Sequence, residues 1–346
     1  MALKKQGFLF SARAPAKVLL TGEHSVVYGA PSLAMAVNRF ASTEIRARKG
    51  SGIFFDLKDF KNSVRLTLST LRRIHNRLIQ AFETFKSGKR SISQVLRSPF
   101  ELFEYTLASL LDICKIELQA GLDINVHSTI PVGCGMGSSA ATTVSFVKAL
   151  LYHFGIDKGL DWIEKLIFET EKLQHGQPSG VDAFISLHGG CVKFQKGHKP
   201  QPLSLPTLPL WVVNTGTPES TTGECVCSVR KKWGGTSIWN EFAQATSNIE
   251  QAITSQDIDA LCKGFADNQR LLSDIGVVPA KVARFVKEIE HIGGCAKISG
   301  AGSIRGDSAG IVLVFAPTSI EQLCSQFGYT YFCLEGESQG ASIDTL

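Results

Sequence analysis

The 346-residue sequence contains no G-x-x-x-x-G-K-[ST] and no C-x-x-C. The first absence removes the P-loop; the second removes zinc knuckles and thioredoxin-like redox pairs. There is no H-E-x-x-H either, so a zincin-type metal site is excluded. No unbroken apolar run is long enough to span a bilayer. Gly7-Phe-Leu-Phe10, behind Lys4 and Lys5, is too short for a signal-peptide core. Internal repeats and low-complexity tracts are also missing. Charge of one sign is scarce: 36 Lys and Arg against 31 Asp and Glu leave a formal net charge of +5. That is too diffuse for a nucleic-acid surface, although it helps attract an anionic substrate. The basic clusters Arg72-Arg73 with Arg77, and Arg230-Lys231-Lys232, read as solvated helix faces. The nine cysteines, with Cys225-x-Cys227 the nearest pair, read as reduced and the compartment as cytoplasmic.

What is present is concentrated in one stretch, Pro131-Val-Gly-Cys-Gly-Met-Gly-Ser-Ser-Ala-Ala141. Gly133, Gly135 and Gly137 alternate, and an apolar helical pattern follows at Ala140, Ala141, Val144, Val147 and Leu151. Glycines let backbone N–H groups turn inward, where a Cβ would collide. Ser138 or Ser139 is a natural N-cap, and the helix N-terminus behind them favours an anion. The stretch therefore reads as a phosphate cradle. It is not the dinucleotide fingerprint, because Ser138 stands where a third glycine belongs. Cys134 inside it is either a gap filler or an oxidation-sensitive thiol.

Length and composition (44% hydrophobic, 19% charged) suit two globular domains. Strands are expected at residues 8–13, 17–21, 42–48, 52–57 and 122–127, with Ala14-Pro15-Ala16 breaking the first two apart. Helices are expected over 63–86, 100–114, 139–154 and 160–175. Gly189-Gly190 and Pro200, Pro202, Pro206 and Pro209 mark the best boundary, giving domains 1–195 and 196–346. In the second half, a strand at 208–214 precedes helices at 236–254, 258–275 and 279–292. A turn at Lys297-Ile-Ser-Gly-Ala-Gly302 and strands at 309–315 and 329–334 follow. Mixed strands and long helices make the class α+β.

A phosphate cradle becomes a kinase only with a metal ligand, a cation and a group that handles the acceptor hydroxyl. Glu171 and Asp182 are the candidate carboxylates. Glu171 with a loop serine suits Mg²⁺, or is a solvated helix acid; Asp182 suits a general base, or caps a helix. Lys17, between apolar residues, is either an edge-strand gatekeeper or a buried functional cation. Glu171 and His175 have an i, i+4 spacing that can hold zinc, but no third ligand accompanies them; capping or a substrate-facing role suits His175 better.

Three stretches together, Pro15-Ala-Lys-Val-Leu-Leu-Thr-Gly-Glu-His-Ser-Val-Val-Tyr-Gly-Ala-Pro31, Pro131–Ala141 and Lys297–Gly302, resemble the three ordered motifs of the GHMP small-molecule kinases. Gly22–Gly29 and His175-Gly-Gln-Pro-Ser-Gly-Val-Asp182 are similar to the branch that acts on mevalonate. The resemblance implies a ribosomal protein S5 domain 2-like N-terminal domain and a ferredoxin-like C-terminal domain, with ATP and substrate in the cleft between them. It implies transfer of the γ-phosphoryl of ATP to the C5 hydroxyl of mevalonate, with Mg²⁺. By position, Gly133, Cys134, Gly135, Met136, Gly137 and Ser138 would hold phosphates, and Ser139 and Glu171 would ligate Mg²⁺. Asp182 would take or orient the hydroxyl proton. Lys17 would pair with Asp182 and stabilise the alkoxide, and Glu23, His24 and Val26 would border the mevalonate. An isoprenoid diphosphate competing with ATP is the implied inhibitor, and a homodimer is compatible. Another small alcohol, such as a sugar or homoserine, is the alternative acceptor. A silent relative would lose Lys17, Ser139, Glu171 or Asp182, and all four are here. After Gly302 the family's further glycines are replaced by Ser303-Ile-Arg-Gly-Asp307. Arg305 there either reaches a phosphate or carboxylate or pairs with Asp307 at the surface.

Overall fold

The computed structural model describes residues 10–345 except 61, 132, 207 and 208. The strand expectations at 8, 9 and 208 fall outside the described residues. In chain order the elements are β1 (Phe10–Thr21), β2 (Ser32–Arg48), β3 (Ile53–Leu57), β4 (Asn62–Leu66), α1 (Leu68–Lys86), α2 (Phe100–Ile113), β5 (Gly121–Ser128), α3 (Ser138–Phe154), α4 (Leu160–His175), α5 (Val181–His188), β6 (Cys191–Phe194) and β7 (Gln201–Leu203). Then come β8 (Leu210–Asn214), α6 (Thr222–Trp233), α7 (Ile238–Ser255), α8 (Ile258–Asp274), α9 (Ala280–His291), β9 (Cys295–Ser299), β10 (Ile311–Phe315), α10 (Glu321–Phe327), β11 (Thr330–Leu334) and β12 (Ser342–Thr345).

Two sheets organise the chain. The first runs β12-β1-β2-β5-β3-β4, with β6 pairing β2 and β7. Its only parallel pairing among the described residues is β3 with β5. The second is antiparallel, β11-β8-β10-β9. The last strand thus returns to the first sheet, with Arg13 opposite Ser342. Helix α3 packs on β1 and β2. Its Ala140, Ala141, Val144, Val147 and Leu151 are all buried, as their helical spacing predicts. Ala12, Ala14, Ala16, Val18 and Leu20 of β1 are buried too. Small side chains let the helix approach the sheet closely.

Several elements depart from the sequence-based expectations. β1 is one strand, not two. Pro15 lies beyond the last β12 pair, and the register against β2 shifts between Pro15 and Ala16; a bulge accommodates a residue without an N–H. The apolar period from residue 63 begins as β4, because that segment pairs with β3. The helix starts only after Thr67, whose side chain accepts from Thr70 N at 3.2 Å. Helix α6 carries the Arg230–Lys232 cluster as expected, whereas strands β6, β7 and β12 were not anticipated, and Lys297–Ser299, expected in a turn, belong to β9. Finally, not all cysteines are reduced: Cys262 on α8 and Cys295 on β9 form a disulfide. The packing of α8 on β9 brings together two residues 33 apart in sequence, which spacing alone could not reveal. No helix among the described residues is long and apolar enough to cross a membrane.

Candidate active site

The glycine loop lies where the two sheets meet. Its burial alternates: Cys134 and Met136 are buried, while Gly133 and Gly135 are exposed. The two side chains anchor the loop inward, which leaves the glycine backbone on the outer side. The Cys134 thiol donates to Asn214 Oδ1 at 3.3 Å, and burial raises its pKa, which favours gap filling over reactivity. All three glycines have positive φ, 73°, 86° and 69° for Gly133, Gly135 and Gly137. Gly137 occupies the N-cap of α3, so neither Ser138 nor Ser139 caps it, and no side chain does. Both serines lie in the first turn, which keeps the anion-favouring polarity of a helix N-terminus.

Directly against this loop sits an ion pair. Lys17 Nζ lies 3.2 Å from Asp182 Oδ1. A Cβ on Gly137 would stand 3.0 Å from Lys17 Cγ and 3.7 Å from Asp182 Cβ. The Lys17 backbone N–H donates to Met136 O at 3.0 Å. β1 supplies the lysine and the first turn of α5 supplies the acid, behind its N-cap Gly180. Lys17 is buried, so it is no edge gatekeeper; Asp182 is in the first turn rather than at the cap.

Ser139 and Glu171 lie near the same pair, close enough for the charge of Asp182 to act on Glu171. Ser139 Oγ donates to Gln174 Oε1 at 2.6 Å. Glu171 is buried, and its Oε1 has no hydrogen-bond partner. Burial first, and Asp182 second, push its pKa up to about 8, against a hydrogen bond with Ser139. A buried carboxylate with an orphaned oxygen beside a serine is a donor set that suits a divalent cation. Magnesium keeps phosphate and water oxygens for the rest of its shell, so a closed cage is not required. Among the described residues no group of three or more His, Cys, Asp or Glu forms one. His175 ends α4 and is exposed.

The segment after β1 completes the cleft. Ser25 N donates to Glu23 O at 2.6 Å across His24, whose φ and ψ are 59° and −47°. This is a γ-turn of the strained, positive-φ kind. His24 Nε2 lies 2.9 Å from Ala301 O. Burial lowers the His24 pKa, more than that hydrogen bond raises it. Burial therefore favours the neutral ring. A carbonyl only accepts, so the proton sits on Nε2 and Nδ1 is an acceptor. Val26 is half-buried in the turn Ser25–Tyr28.

A sequence profile for the GHMP kinases N terminal domain matches residues 102–190. The chain is also 30% identical over 302 residues to the mevalonate kinase of Pyrococcus horikoshii, covering 84% of this chain and 85% of that protein. The chain belongs to the mevalonate kinase family of the GHMP kinases. It is thus a kinase with ATP as its phosphoryl donor. The crystal structure of Methanococcus jannaschii mevalonate kinase matches with a TM-score of 0.80 at 24% identity, over 96% of this chain and 99% of that one. An L. major mevalonate kinase solved in complex with R-mevalonate matches at 0.70 and 19% identity, over 98% of both chains. These two likenesses establish the GHMP kinase fold, α+β with two sheets.

Two features of this mevalonate kinase family member escaped the sequence reading. Lys297 is fully buried, and its Nζ lies 2.6 Å from Glu23 Oε1 and 2.7 Å from Ile298 O. Burial pushes its ammonium pKa down; Glu23 opposes this, and the charge of Lys17 adds to it. The available signal was a lysine within the otherwise uncharged run Cys295–Ser299. Gln174, the partner of Ser139, carried no signal. Arg305 does not pair with Asp307. It is exposed, 2.9 Å from Glu224 Oε1, and Glu224 belongs to the capping box of α6.

Proposed function

We propose that this chain transfers the γ-phosphoryl group of ATP to the C5 hydroxyl of mevalonate. The observation that carries the reading is the 3.2 Å Lys17–Asp182 pair in contact with Gly137 of the phosphate loop. A group that handles an alcohol and a group that holds phosphate are thereby adjacent.

The roles follow from the chemistry. The backbone from Gly133 to Ser138 cradles the phosphates. Ser139 and Glu171 would hold Mg²⁺, which would supply positive charge against the charge that develops on the phosphates. Asp182 accepts or orients the proton of the hydroxyl. An alcohol has a very high pKa, so Lys17, which favours the alkoxide, matters more than the basicity of one aspartate. His24 and Val26 border the acceptor, while the side chain of Glu23, expected to border it too, is sealed against Lys297 and can only support that border from behind. Catalysis is mainly positioning and charge stabilisation. We further propose residues 1–195 and 196–346 as the two domains, a cytoplasmic location, and an isoprenoid diphosphate as an inhibitor competing with ATP.

A panel of alcohols tests the reading: mevalonate, galactose and homoserine, each assayed by ADP release. Mevalonate is expected to give the highest kcat/KM. Preference for another acceptor would overturn the substrate assignment and leave the phosphotransfer reading intact.

A further inference from the structure

Strand β9 is buried along its whole length, yet its central residue is a lysine. Neither Lys297 nor the side chain of Glu23 has any exposed surface. Holding a strand in place does not require such a pair, since two apolar side chains of similar volume serve as well or better. Its position says what it is for. Lys297, Ser299 and Ala301 alternate along the chain, and each bonds to the segment 19–24. Lys297 Nζ holds Glu23 Oε1 at 2.6 Å, Ser299 Oγ accepts from Leu19 N at 2.9 Å, and Ala301 O takes His24 Nε2 at 2.9 Å. All three bonds cross from β9 and its following turn to β1 and the turn behind it. Two of them grip the strained γ-turn: one on the side chain before its centre, one on the central ring. A backbone in that region persists only when its surroundings over-determine it.

We propose that Lys297 is a positioning residue for the alcohol acceptor: by clamping Glu23 it holds the His24 turn in the conformation that borders the acceptor pocket. Lys297 itself touches no substrate. The inference rests on reading His24 and Val26 as the acceptor border. It assigns to the third motif a second task besides packing against the phosphate loop, where Gly135 lies close to Ser299 O and Gly300.

Steady-state kinetics with each substrate varied in turn, together with thermal unfolding, test it on the wild type, Lys297→Met and Lys297→Arg. The expected result for Lys297→Met is a rise of about tenfold or more in the KM for the acceptor, with the KM for ATP changed by less than about twofold. Lys297→Arg, which restores a charged donor, is expected to recover part of the acceptor KM. Should Lys297→Met fail to fold, Lys297→Gln carries the same comparison, with an expected rise of about threefold. An acceptor KM within about twofold of wild type, or acceptor and ATP KM rising together as Tm falls, would overturn the proposal. Turnover of mevalonate by the wild type is measured first. If there is none, the substrate reading fails by itself, and the comparison proceeds with whichever alcohol of the panel is accepted.

Discussion

Lys17 meets Asp182 at 3.2 Å, with the carboxylate side chain 38% exposed. Lys297 meets Glu23 at 2.6 Å, with neither side chain exposed. The chemistry of the two pairs is the same, and their surroundings give them different tasks. The open pair keeps carboxylate lone pairs within reach of a hydroxyl, so it can trade its internal contact for one to substrate. The sealed pair cannot meet a substrate through its lysine, and acts by holding backbone. In the proposed reading, one lysine–carboxylate pair serves chemistry and the other serves shape.

The sharpest way to break this comparison is in turnover. Asp182→Asn and Lys17→Met are expected to lose about a thousandfold or more in kcat while ATP binding, measured by calorimetry, stays within about twofold. Near-normal kcat in either variant would remove that residue from the proposed chemistry. In denaturant unfolding the order should reverse. Removing one partner of a sealed pair costs about 3–5 kcal/mol, so Lys297→Met should be the more destabilised protein. Lys17→Met leaves a carboxylate that water can reach and should cost about 1 kcal/mol or less. Equal losses would mean that the two pairs do not differ as described.

Glu171 extends the contrast to a carboxylate with no lysine. Its pKa stands at about 8 against an ordinary 4.5, chiefly through burial. The folded protein therefore binds this proton more tightly than the unfolded chain does. Its contribution to stability is present at low pH and is lost as pH rises from 4.5 through about 8. Denaturant unfolding of the metal-free protein across that window should show the slope, and Glu171→Gln should flatten it. Glu171→Gln and Ser139→Ala should also shift the Mg²⁺ titration of activity to higher concentration; an unchanged titration would argue against both as ligands. The smallest effect is expected at Arg305. Its pair with Glu224 is exposed, so Arg305→Ala should leave kcat/KM within about twofold. A larger drop would restore the phosphate- or carboxylate-binding role for this arginine.

Much of the site was legible in the linear order of residues. Alternating glycines before an apolar helical period point to the proposed cradle, and the structure shows that all three take positive φ. Lys17, Asp182 and Glu171 stand out as charged residues beside apolar or turn sequences. Other features were not legible. The strand through Pro15 depends on a bulge against β2. The start of α1 depends on β4 first pairing with β3. The Cys262–Cys295 link and the return of β12 to β1 depend on which elements become neighbours. The importance of Lys297 was hidden for the same reason, since its partner Glu23 lies 274 residues away.

The order of motifs along the chain was enough to determine the family, through its resemblance to the GHMP kinases, whereas residue types and local spacing left Lys17, Glu171 and Asp182 each open between a chemical and a structural role. Only tertiary structure decided which lysine pairs with a carboxylate that solvent reaches and which is sealed with its partner. That choice depends on solvent access and on contacts between distant segments, and neither is a property of any local stretch of sequence.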